Sequence, residues 1–420
     1  MKRFLILGFS LAFAFETIAE PASWPSWRGP GENGSTERGT YPVKWDATNI
    51  LWKVPLPGKG CSTPIVWDQR IFVTAPTNGS DAVLAFDWAG KPLWQTTLGS
   101  EQAGKHRNGS GSNPSPATDG KSVFVYFKSG TLAALDFDGA VRWQTNLVAG
   151  FGPDTLYWDQ GTSPVLTGDD VVIARMNQGE SWLAAFDKAS GQMRWKVARN
   201  YETPVEGDHA YTTPLVLEQQ GKEVVLVWGA EHVTAHEANT GKLLWFCSGF
   251  NPQKVANWPA VASPVIAGNI VVVGSGRADR GKPRLYGVRL DGTGDVTATH
   301  HAWERDDTGT FVPTPAEYKN RIYLLRDRGE VECLDPATGK TLWTDGLPKA
   351  SANYYASPLV AGDLLYAIRE DGTVFVARVE GKFELLAENQ MGERIVASPV
   401  ALSNRLLIRG ERHLFCIAGQ

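Results

Sequence analysis

The chain of 420 residues has little that could hold it in a membrane or on a polyanion. Beyond its first 15 residues, no apolar run approaches the roughly 18 residues of a membrane-spanning helix. Lysine and arginine number 41 against 45 aspartates and glutamates, and no block of one sign occurs. These absences argue against a membrane span in the mature chain and against nucleic acid as a partner.

The motifs of common enzymes are also missing. No G-x-S-x-G, no H-E-x-x-H and no phosphate-binding glycine loop after a strand is present. His232 and His236 have the spacing of helical metal ligands, but they fall on a predicted strand, where positions four apart lie roughly 13 Å from each other. We therefore predict no metal site.

Cysteine is scarce. The four cysteines are widely separated and none is adjacent to another: Cys61, Cys247, Cys333 and Cys416. Because they belong to different repeat units, we expect buried free thiols, with disulfides as the alternative.

The first residues have the pattern of a secretory signal. Lys2 and Arg3 precede an apolar stretch from 4 to 15, and small residues suited to cleavage follow at Thr17 and Ala19. We predict a signal peptide over residues 1–19, with a retained N-terminal anchor as the alternative. The first cysteine is Cys61, so no lipid anchor at a mature N-terminal cysteine is expected, and the protein should be periplasmic or extracellular.

A motif of ten or eleven residues recurs five times. It reads LDPATGKTLW at 334–343, and related copies occupy 85–94, 134–143, 185–195 and 235–245. Its glycine can supply the positive φ of a tight hairpin, and its acid can accept backbone N–H groups across the same turn. Each copy therefore predicts a β-hairpin that ends in a large packing residue.

A second signal, a small or hydroxyl residue followed by proline and an apolar strand, divides the chain into eight units of 41 to 52 residues. Its prolines are Pro64, Pro116, Pro164, Pro214, Pro264, Pro315, Pro358 and Pro399. Each unit contains four short alternating segments, which predict four antiparallel strands. A single four-stranded sheet cannot bury the tryptophan of its last strand, but sheets standing radially around an axis can.

The sequence therefore predicts an all-β fold, an eight-bladed β-propeller over residues 49–420 behind an extended arm at 20–48. The eighth unit lacks its fourth strand, and the segment at 49–58 is expected to supply it and to close the ring. Unit five has a stretched hairpin, and unit seven carries leucine in the tryptophan position. The predicted blade-docking residues are Trp52, Trp94, Trp143, Trp195, Trp245, Trp303 and Trp343.

The segment 185–195, and with small departures 235–245 and 333–343, resembles the tryptophan-docking repeat of the pyrroloquinoline-quinone (PQQ) propellers. The leading segment WPSWRGPGENGS is similar to the N-terminus of exported PQQ-like repeat proteins. The resemblance covers roughly residues 50–420 and implies the propeller fold. That superfamily includes quinoprotein alcohol dehydrogenases, which bind the quinone with calcium, and the non-enzymatic outer-membrane assembly lipoprotein BamB.

The resemblance does not extend to the enzymes' site. Their adjacent-cysteine disulfide is missing, and no segment matches the surroundings of their calcium ligands or catalytic aspartate. We therefore expect a non-catalytic binding or scaffold propeller without a cofactor. A PQQ- or metal-dependent oxidoreductase and a carbohydrate-binding propeller are the alternatives.

A ring of arginines and aromatic residues is the candidate ligand-binding site. The arginines close the second strand of five units, on the side of the loops that lead into each first strand: Arg175, Arg277, Arg326, Arg369 and Arg409. Those loops carry Tyr157, Trp158, His209, Tyr211, Trp258, Phe311, Tyr354 and Tyr355. Such a face would suit a protein, an extended polypeptide or a glycan. The alternative is that each arginine pairs with a neighbouring acid. We expect a monomer.

Overall fold

The computed structural model describes residues 23–37, 39–277, 279 and 283–419. Within these ranges nearly all regular structure is β-strand, and the strands form eight sheets built from antiparallel hairpins around one axis. The predicted eight-bladed propeller is confirmed. The predicted signal peptide, 1–19, lies outside the described residues.

The elements follow in chain order. The N-terminal segment contains β1 (Ser23–Trp24), β2 (Ser35–Thr36) and β3 (Ile50–Pro55). Blade 1 contains β4 (Ile65–Trp67), β5 (Arg70–Thr77), β6 (Ser80–Asp87) and β7 (Pro92–Ser100); blade 2 contains β8 (Ala117–Thr118), β9 (Ser122–Tyr126), β10 (Thr131–Asp136) and β11 (Val141–Asn146), followed by helix α1 (Leu147–Phe151). Blade 3 contains β12 (Val165–Leu166), β13 (Asp170–Arg175), β14 (Trp182–Asp187) and β15 (Met193–Ala198); blade 4 contains β16 (Leu215–Gln219), β17 (Lys222–Gly229), β18 (His232–Glu237) and β19 (Leu243–Cys247).

The second half repeats the plan. Blade 5 contains β20 (Val265–Ala267), β21 (Ile270–Ser275) and β22 (Arg284–Arg289), then β23 (Gly294–Asp295) and α2 (Thr297–His300) as an insertion, and finally β24 (His301–Arg305). Blade 6 contains β25 (Ala316–Glu317), β26 (Ile322–Leu325), β27 (Glu330–Leu334) and β28 (Thr341–Gly346); blade 7 contains β29 (Leu359–Ala361), β30 (Leu364–Ile368), β31 (Thr373–Arg378) and β32 (Glu384–Gln390). Blade 8 contains β33 (Val400–Leu402), β34 (Arg405–Arg409) and β35 (His413–Ala418).

The ring closes as the sequence predicts. Strand β3 pairs antiparallel with β35 and is the outermost strand of blade 8. Strand β23 of the insertion pairs in parallel with β19, so the stretched hairpin of unit five adds a fifth strand to blade 4. The apolar core lies between neighbouring sheets, where side chains of the middle strands are almost entirely buried.

The last strand of most blades carries a tryptophan that contacts the next blade. Trp143 of blade 2 donates its indole N–H to the carbonyl of Lys188 in blade 3 at 2.8 Å. Its ring lies against Gly191, where an added Cβ would come within 2.4 Å of the ring and where φ is 72°. The glycine of the repeat is thus needed twice, for the turn and for the indole. Equivalent indole donations are made by Trp52, Trp94, Trp195 and Trp303.

Three blades depart from this pattern. In blade 6, Trp343 makes no indole hydrogen bond among the described residues, and its ring centre lies 6.0 Å from that of Phe383 in blade 7. The Trp245 ring lies against Gly292 of the insertion, and its indole nitrogen finds no hydrogen-bond partner among the described residues. The assignment of leucine to the tryptophan position of unit seven is wrong. The register pairs Ala387 with Val376 just before the bulge, the place that Trp195 takes opposite Ala185. The hairpin of blade 7 is one residue longer than that of blade 3, because Val376 and Ala387 lie eleven positions apart whereas Ala185 and Trp195 lie ten apart.

A belt of hydroxyl groups surrounds the axis at the start of the first strands. The residue before each of the eight repeated prolines is serine or threonine. In blades 2 to 8 its side-chain oxygen accepts the backbone N–H of the equivalent residue in the preceding blade. The seven distances run from 2.8 to 3.1 Å and join Thr63, Ser115, Ser163, Thr213, Ser263, Thr314, Ser357 and Ser398 in that order. The Thr63 hydroxyl closes the circle on the Ser398 carbonyl at 3.3 Å. The belt holds the inner edges of the eight sheets at a fixed spacing.

All four cysteines are free, as expected. Cys333 pairs with Trp343 and Cys416 pairs with Trp52 across neighbouring strands, where other blades have alanine or glycine opposite the indole. These two thiols are therefore small packing residues.

The indole contact predicts the effect of its loss. Trp143→Ala should lower the free energy of unfolding by about 3 to 5 kcal/mol, since it removes a buried ring and leaves a cavity. Val141→Ala is the control, because Val141 lies on the same strand with 43% of its surface exposed; its effect should stay within about 0.5 kcal/mol. Urea unfolding of both variants tests this, and equal losses would contradict the interlocking of blades through the indole.

Candidate functional site

A cavity of about 510 Å³ lies at one end of the axis of the ring. It lies on the face that carries the loops leading into each first strand, which we call the upper face. The lining comes from all eight blades and the arm: Trp27, Cys61, His106, Asn108, Gly109, Asn113, Ser115, Trp158, Asp159, Gly161, Ser163, Tyr211, Val261, Arg277, Asp279, Phe311, Val312, Thr314, Asp327, Arg328, Asn353, Tyr355, Ser357, Val396 and Ser398. It has the size of an ordinary small-ligand pocket.

The arm forms the floor of the cavity. Strand β1 pairs with the innermost strand of blade 1 and β2 with that of blade 7, so residues 23–37 lie inside the central channel. The carbonyl of Pro25 accepts the N–H of Thr118 at 2.9 Å, and Arg28 donates to the carbonyl of Pro315 at 3.0 Å. Trp27 is the arm residue that lines the cavity.

The lower end of the channel has a separate cavity of about 940 Å³. Arm residues line that cavity too, among them Ser23, Pro30 and Ser35, but the two cavities share no lining residue. The arm therefore divides the channel, and the upper cavity is blind.

One wall of the cavity is a long loop, residues 101–113, that leads into blade 2. Asp159 holds it from blade 3, because its carboxylate accepts the backbone N–H groups of Lys105 at 2.7 Å and His106 at 3.2 Å. The same carboxylate forms a buried ion pair with Lys128 at 2.6 Å. From the loop that leads into blade 8, Arg394 donates to the carbonyl of Arg107 at 2.8 Å. We call this loop the strap, since it connects blades across the upper face.

Aromatic rings form much of the remaining wall. The backbone N–H of Trp158 donates to the hydroxyl of Tyr211 at 2.9 Å, and the Trp158 ring meets His106 edge to face at 4.4 Å. Burial raises the pKa of Tyr211, so its hydroxyl stays protonated near neutral pH. On the opposite side, Asn353 donates to the hydroxyl of Tyr355 at 3.0 Å.

Every carboxylate of the wall already has protein partners. Besides Asp159, Asp327 accepts the backbone N–H groups of Phe311 at 3.0 Å and Val312 at 3.1 Å. Asp279 pairs with Arg277 at 2.8 Å, and the Arg277 guanidinium lies 4.8 Å from the centre of the Phe311 ring. The cavity is thus nearly free of uncompensated charge.

The contacts of these three carboxylates indicate whether the cavity could hold the calcium and quinone that the family resemblance implies. Calcium beside a quinone requires carboxylate oxygens that are free to bind the cation. The acids of this cavity use theirs to hold the strap, the loop at 311–312 and Arg277. The described residues also contain no group of three or more His, Cys, Asp or Glu that could hold a metal ion. The wall does not fit a calcium-bound quinone.

Four of the predicted ligand-binding residues line the cavity: Trp158, Tyr211, Arg277 and Tyr355. Phe311, noted in the same loops, lines it too. The other predicted positions, which are not part of the lining, are Arg175, Arg326, Arg369, Arg409, Tyr157, His209, Trp258 and Tyr354.

Three of the arginines are buried among the blades. Arg175 donates to the carbonyls of Gly152 and Phe151 at 2.6 and 2.8 Å. Arg369 pairs with Asp371 at 2.9 Å, and Arg409 donates to the carbonyl of Ser62 at 3.0 Å. Their strands lie one layer out from the axis, so the guanidinium groups meet neighbouring loops before they reach the cavity. Arg326 lies in the loop between β26 and β27.

His209, Trp258 and Tyr354 are buried, whereas Tyr157 is exposed beside Trp158.

Sequence reasoning also missed residues that do line the cavity. Trp27 stands in the leading segment, and Asn113 and Asn353 are ordinary loop residues with no pattern around them. The belt of hydroxyl groups could have been predicted from the sequence, because a hydroxyl residue precedes every repeated proline.

No helix in the described ranges is long and apolar enough to cross a membrane.

The sequence model of the family described as outer membrane protein assembly factor BamB matches residues 35–213, 152–300 and 288–383. The BamB structure from Moraxella catarrhalis is 17% identical, covers 88% of this chain and 99% of its own, and has a TM-score of 0.63. The quinohemoprotein alcohol dehydrogenase from Comamonas testosteroni is 12% identical, with coverages of 94% and 80% and a TM-score of 0.71. At these identities the structures show a shared fold.

A curated relative, tetrathionate hydrolase from Acidianus ambivalens, is 27% identical over 179 residues, or 37% of this chain. The chain spans about a third, 32%, of that relative's length.

The arm predicts a pH dependence. Burial raises the pKa of Glu32 to about 7, although the hydroxyl of Ser26 at 2.6 Å and the charge of Arg28 oppose the shift. The folded state thus binds a proton that the unfolded state releases near pH 4.5, so stability should fall as pH rises from about 4.5 to about 7. In the Glu32→Gln variant, the part of this decrease in stability that Glu32 causes should be absent.

Thermal unfolding between pH 5 and 8 measures the difference. Glu37→Gln is the matched control, since Glu37 is exposed on the same arm, and it should keep the slope of the natural chain. An unchanged slope in Glu32→Gln would contradict burial of this carboxyl in the channel.

Proposed function

This chain belongs to the PQQ-like β-propeller family whose sequence model is described as outer membrane protein assembly factor BamB, and on that premise we propose that it is an exported, non-catalytic propeller that binds a ligand or partner on its upper face. The observation that carries the proposal is the blind cavity with aromatic walls and an arm for its floor. Pockets that combine aromatic walls with polar groups at fixed positions are typical ligand sites.

The chemistry of the wall supports binding rather than catalysis. A general base or nucleophile needs an atom that is free to meet the substrate. The Asp159 and Asp327 oxygens hold backbone N–H groups, and Nδ1 of His106 accepts the N–H of Asn108 at 3.3 Å. Burial raises the pKa of the Cys61 thiol, which lowers its reactivity.

Four residues are the proposed contacts for the ligand: Trp158, Tyr211, Arg277 and Tyr355. They stand on loops of blades 3, 4, 5 and 7, so a ligand in the cavity would touch several blades at once. Export is supported by the signal-like pattern of residues 1–19 and by the outer-membrane setting in the family's description. The oxidoreductase alternative is supported only by likeness of fold, as to the Comamonas enzyme.

Photo-crosslinking in the native cell tests whether a ligand or partner binds at the upper face. Benzoylphenylalanine at position 328 should form adducts, because Arg328 is exposed at the rim of the cavity. The control is position 319, since Lys319 is exposed in the same blade on the lower face. Adducts at 319 only, or equally at both positions, would refute an upper-face binding site.

A separate assay tests the oxidoreductase alternative. The full chain incubated with PQQ and calcium should not reduce a dye when simple alcohols are added. Turnover that disappears with a chelator would establish the oxidoreductase instead.

A further inference from the structure

The wall of the upper cavity has the composition of a sugar-binding site, and we propose that the cavity binds the terminal residue of a glycan. This inference rests on the proposed function, because it names the ligand of the same cavity. Three properties carry it: aromatic platforms, neutral hydrogen-bonding groups with free atoms, and a closed floor.

The aromatic platforms surround the space. Trp27 lies on the floor, Trp158 leads into blade 3 and Tyr355 leads into blade 7, four blades away across the axis. A sugar ring presents a face of C–H groups that packs against an aromatic ring, while its hydroxyl groups point outward to polar side chains. The cavity volume of about 510 Å³ suits one or two such rings.

Amide side chains supply the polar contacts. The Asn113 carbonyl oxygen accepts the backbone N–H of Ser110 at 2.8 Å, and no described residue accepts from its amide nitrogen. The side-chain amide of Asn353 donates to the Tyr355 hydroxyl, so the Asn353 side-chain oxygen and the Tyr355 hydroxyl proton have no partner among the described residues. A donor and an acceptor of fixed direction match the paired donor and acceptor character of a sugar hydroxyl.

The charges disfavour a peptide end. A peptide amino terminus would need a free carboxylate, but Asp159, Asp279 and Asp327 are engaged. A peptide carboxylate or a phosphate would need a free cation inside, but Lys128 pairs with Asp159 and Arg277 pairs with Asp279. A neutral ligand avoids the cost of burying an unpaired charge.

The rim has one exception to this neutrality. Arg328 is exposed there and donates to the carbonyl of Ser351 at 3.2 Å, with no acid within ion-pair distance among the described residues. It would strengthen binding of a glycan whose second residue carries a carboxylate. The closed floor means that the glycan inserts its end, so residues beyond the second or third should add nothing.

Titration of the full chain tests the inference. The probes are oligosaccharides of one to six residues of glucose, of N-acetylglucosamine and of glucuronic acid, followed by calorimetry and tryptophan fluorescence. At least one series should bind, and its affinity should rise from the monomer and level off by the trimer. Trp158→Ala and Asn353→Ala should each weaken binding by about tenfold.

Two control variants distinguish the loss of a binding contact from the loss of the folded structure. Lys319→Ala on the lower face should leave affinity unchanged, and Trp158→Phe should restore most of what Trp158→Ala loses, because it keeps a ring. Thermal unfolding of each variant checks that it folds. Binding that is indifferent to Trp158→Ala, or that keeps rising to the hexamer, would overturn the terminal-residue site.

The inference and the proposed function fail in different ways. If no oligosaccharide binds while position 328 still crosslinks in cells, the glycan is wrong and the upper-face platform stands. If the adduct at position 328 is a protein, the partner is a polypeptide and the glycan inference falls. If neither sugar binding nor crosslinking occurs, both are wrong.

Discussion

The structure depends on contacts between blades, because no single blade can bury its own apolar surface. At the outer edge, Trp143 and its counterparts pack against the hairpin glycine of the next sheet. At the inner edge, a serine or threonine hydroxyl of blades 2 to 8 accepts an N–H from the blade before it, and the Thr63 hydroxyl of blade 1 donates to the Ser398 carbonyl of blade 8. The two contacts fix the spacing of the sheets at both radii, and the pairing of β3 with β35 makes the ring continuous.

A ring of fixed spacing leaves a channel whose walls are the free edges of eight inner strands. An unpaired strand edge exposes backbone N–H and carbonyl groups that require partners. The arm supplies them in blades 1 and 7, and its side chains occupy the remaining space. The channel thereby becomes a cavity with a floor, and the strap held by Asp159 gives that cavity a wall. Structural needs therefore account for most charged groups near the axis, which leaves a neutral, aromatic surface for a ligand.

The fold could be predicted from the sequence because its signals are local and repeated. The prolines, the hairpin glycines and the tryptophans each recur at one place in a unit, and even the strand missing from unit eight could be found. The site could not be predicted to the same depth. Three of the predicted arginines lie at the correct end of their strands: Arg175, Arg369 and Arg409. Their strands are second from the axis, so the guanidinium groups lie behind the inner loops and donate to backbone carbonyls there. Trp27 and the strap reach the cavity through long-range contacts, for which a repeat pattern holds no signal.

The most direct test of a blind, glycan-binding cavity is a crystal structure of the full chain grown with the oligosaccharide series. The account predicts a terminal sugar ring above Trp27, between Trp158 and Tyr355, with its hydroxyl groups within hydrogen-bond distance of Asn113 or Asn353. A crystal in which the sugar lies on another surface, or in which the arm leaves the channel open from end to end, would contradict it.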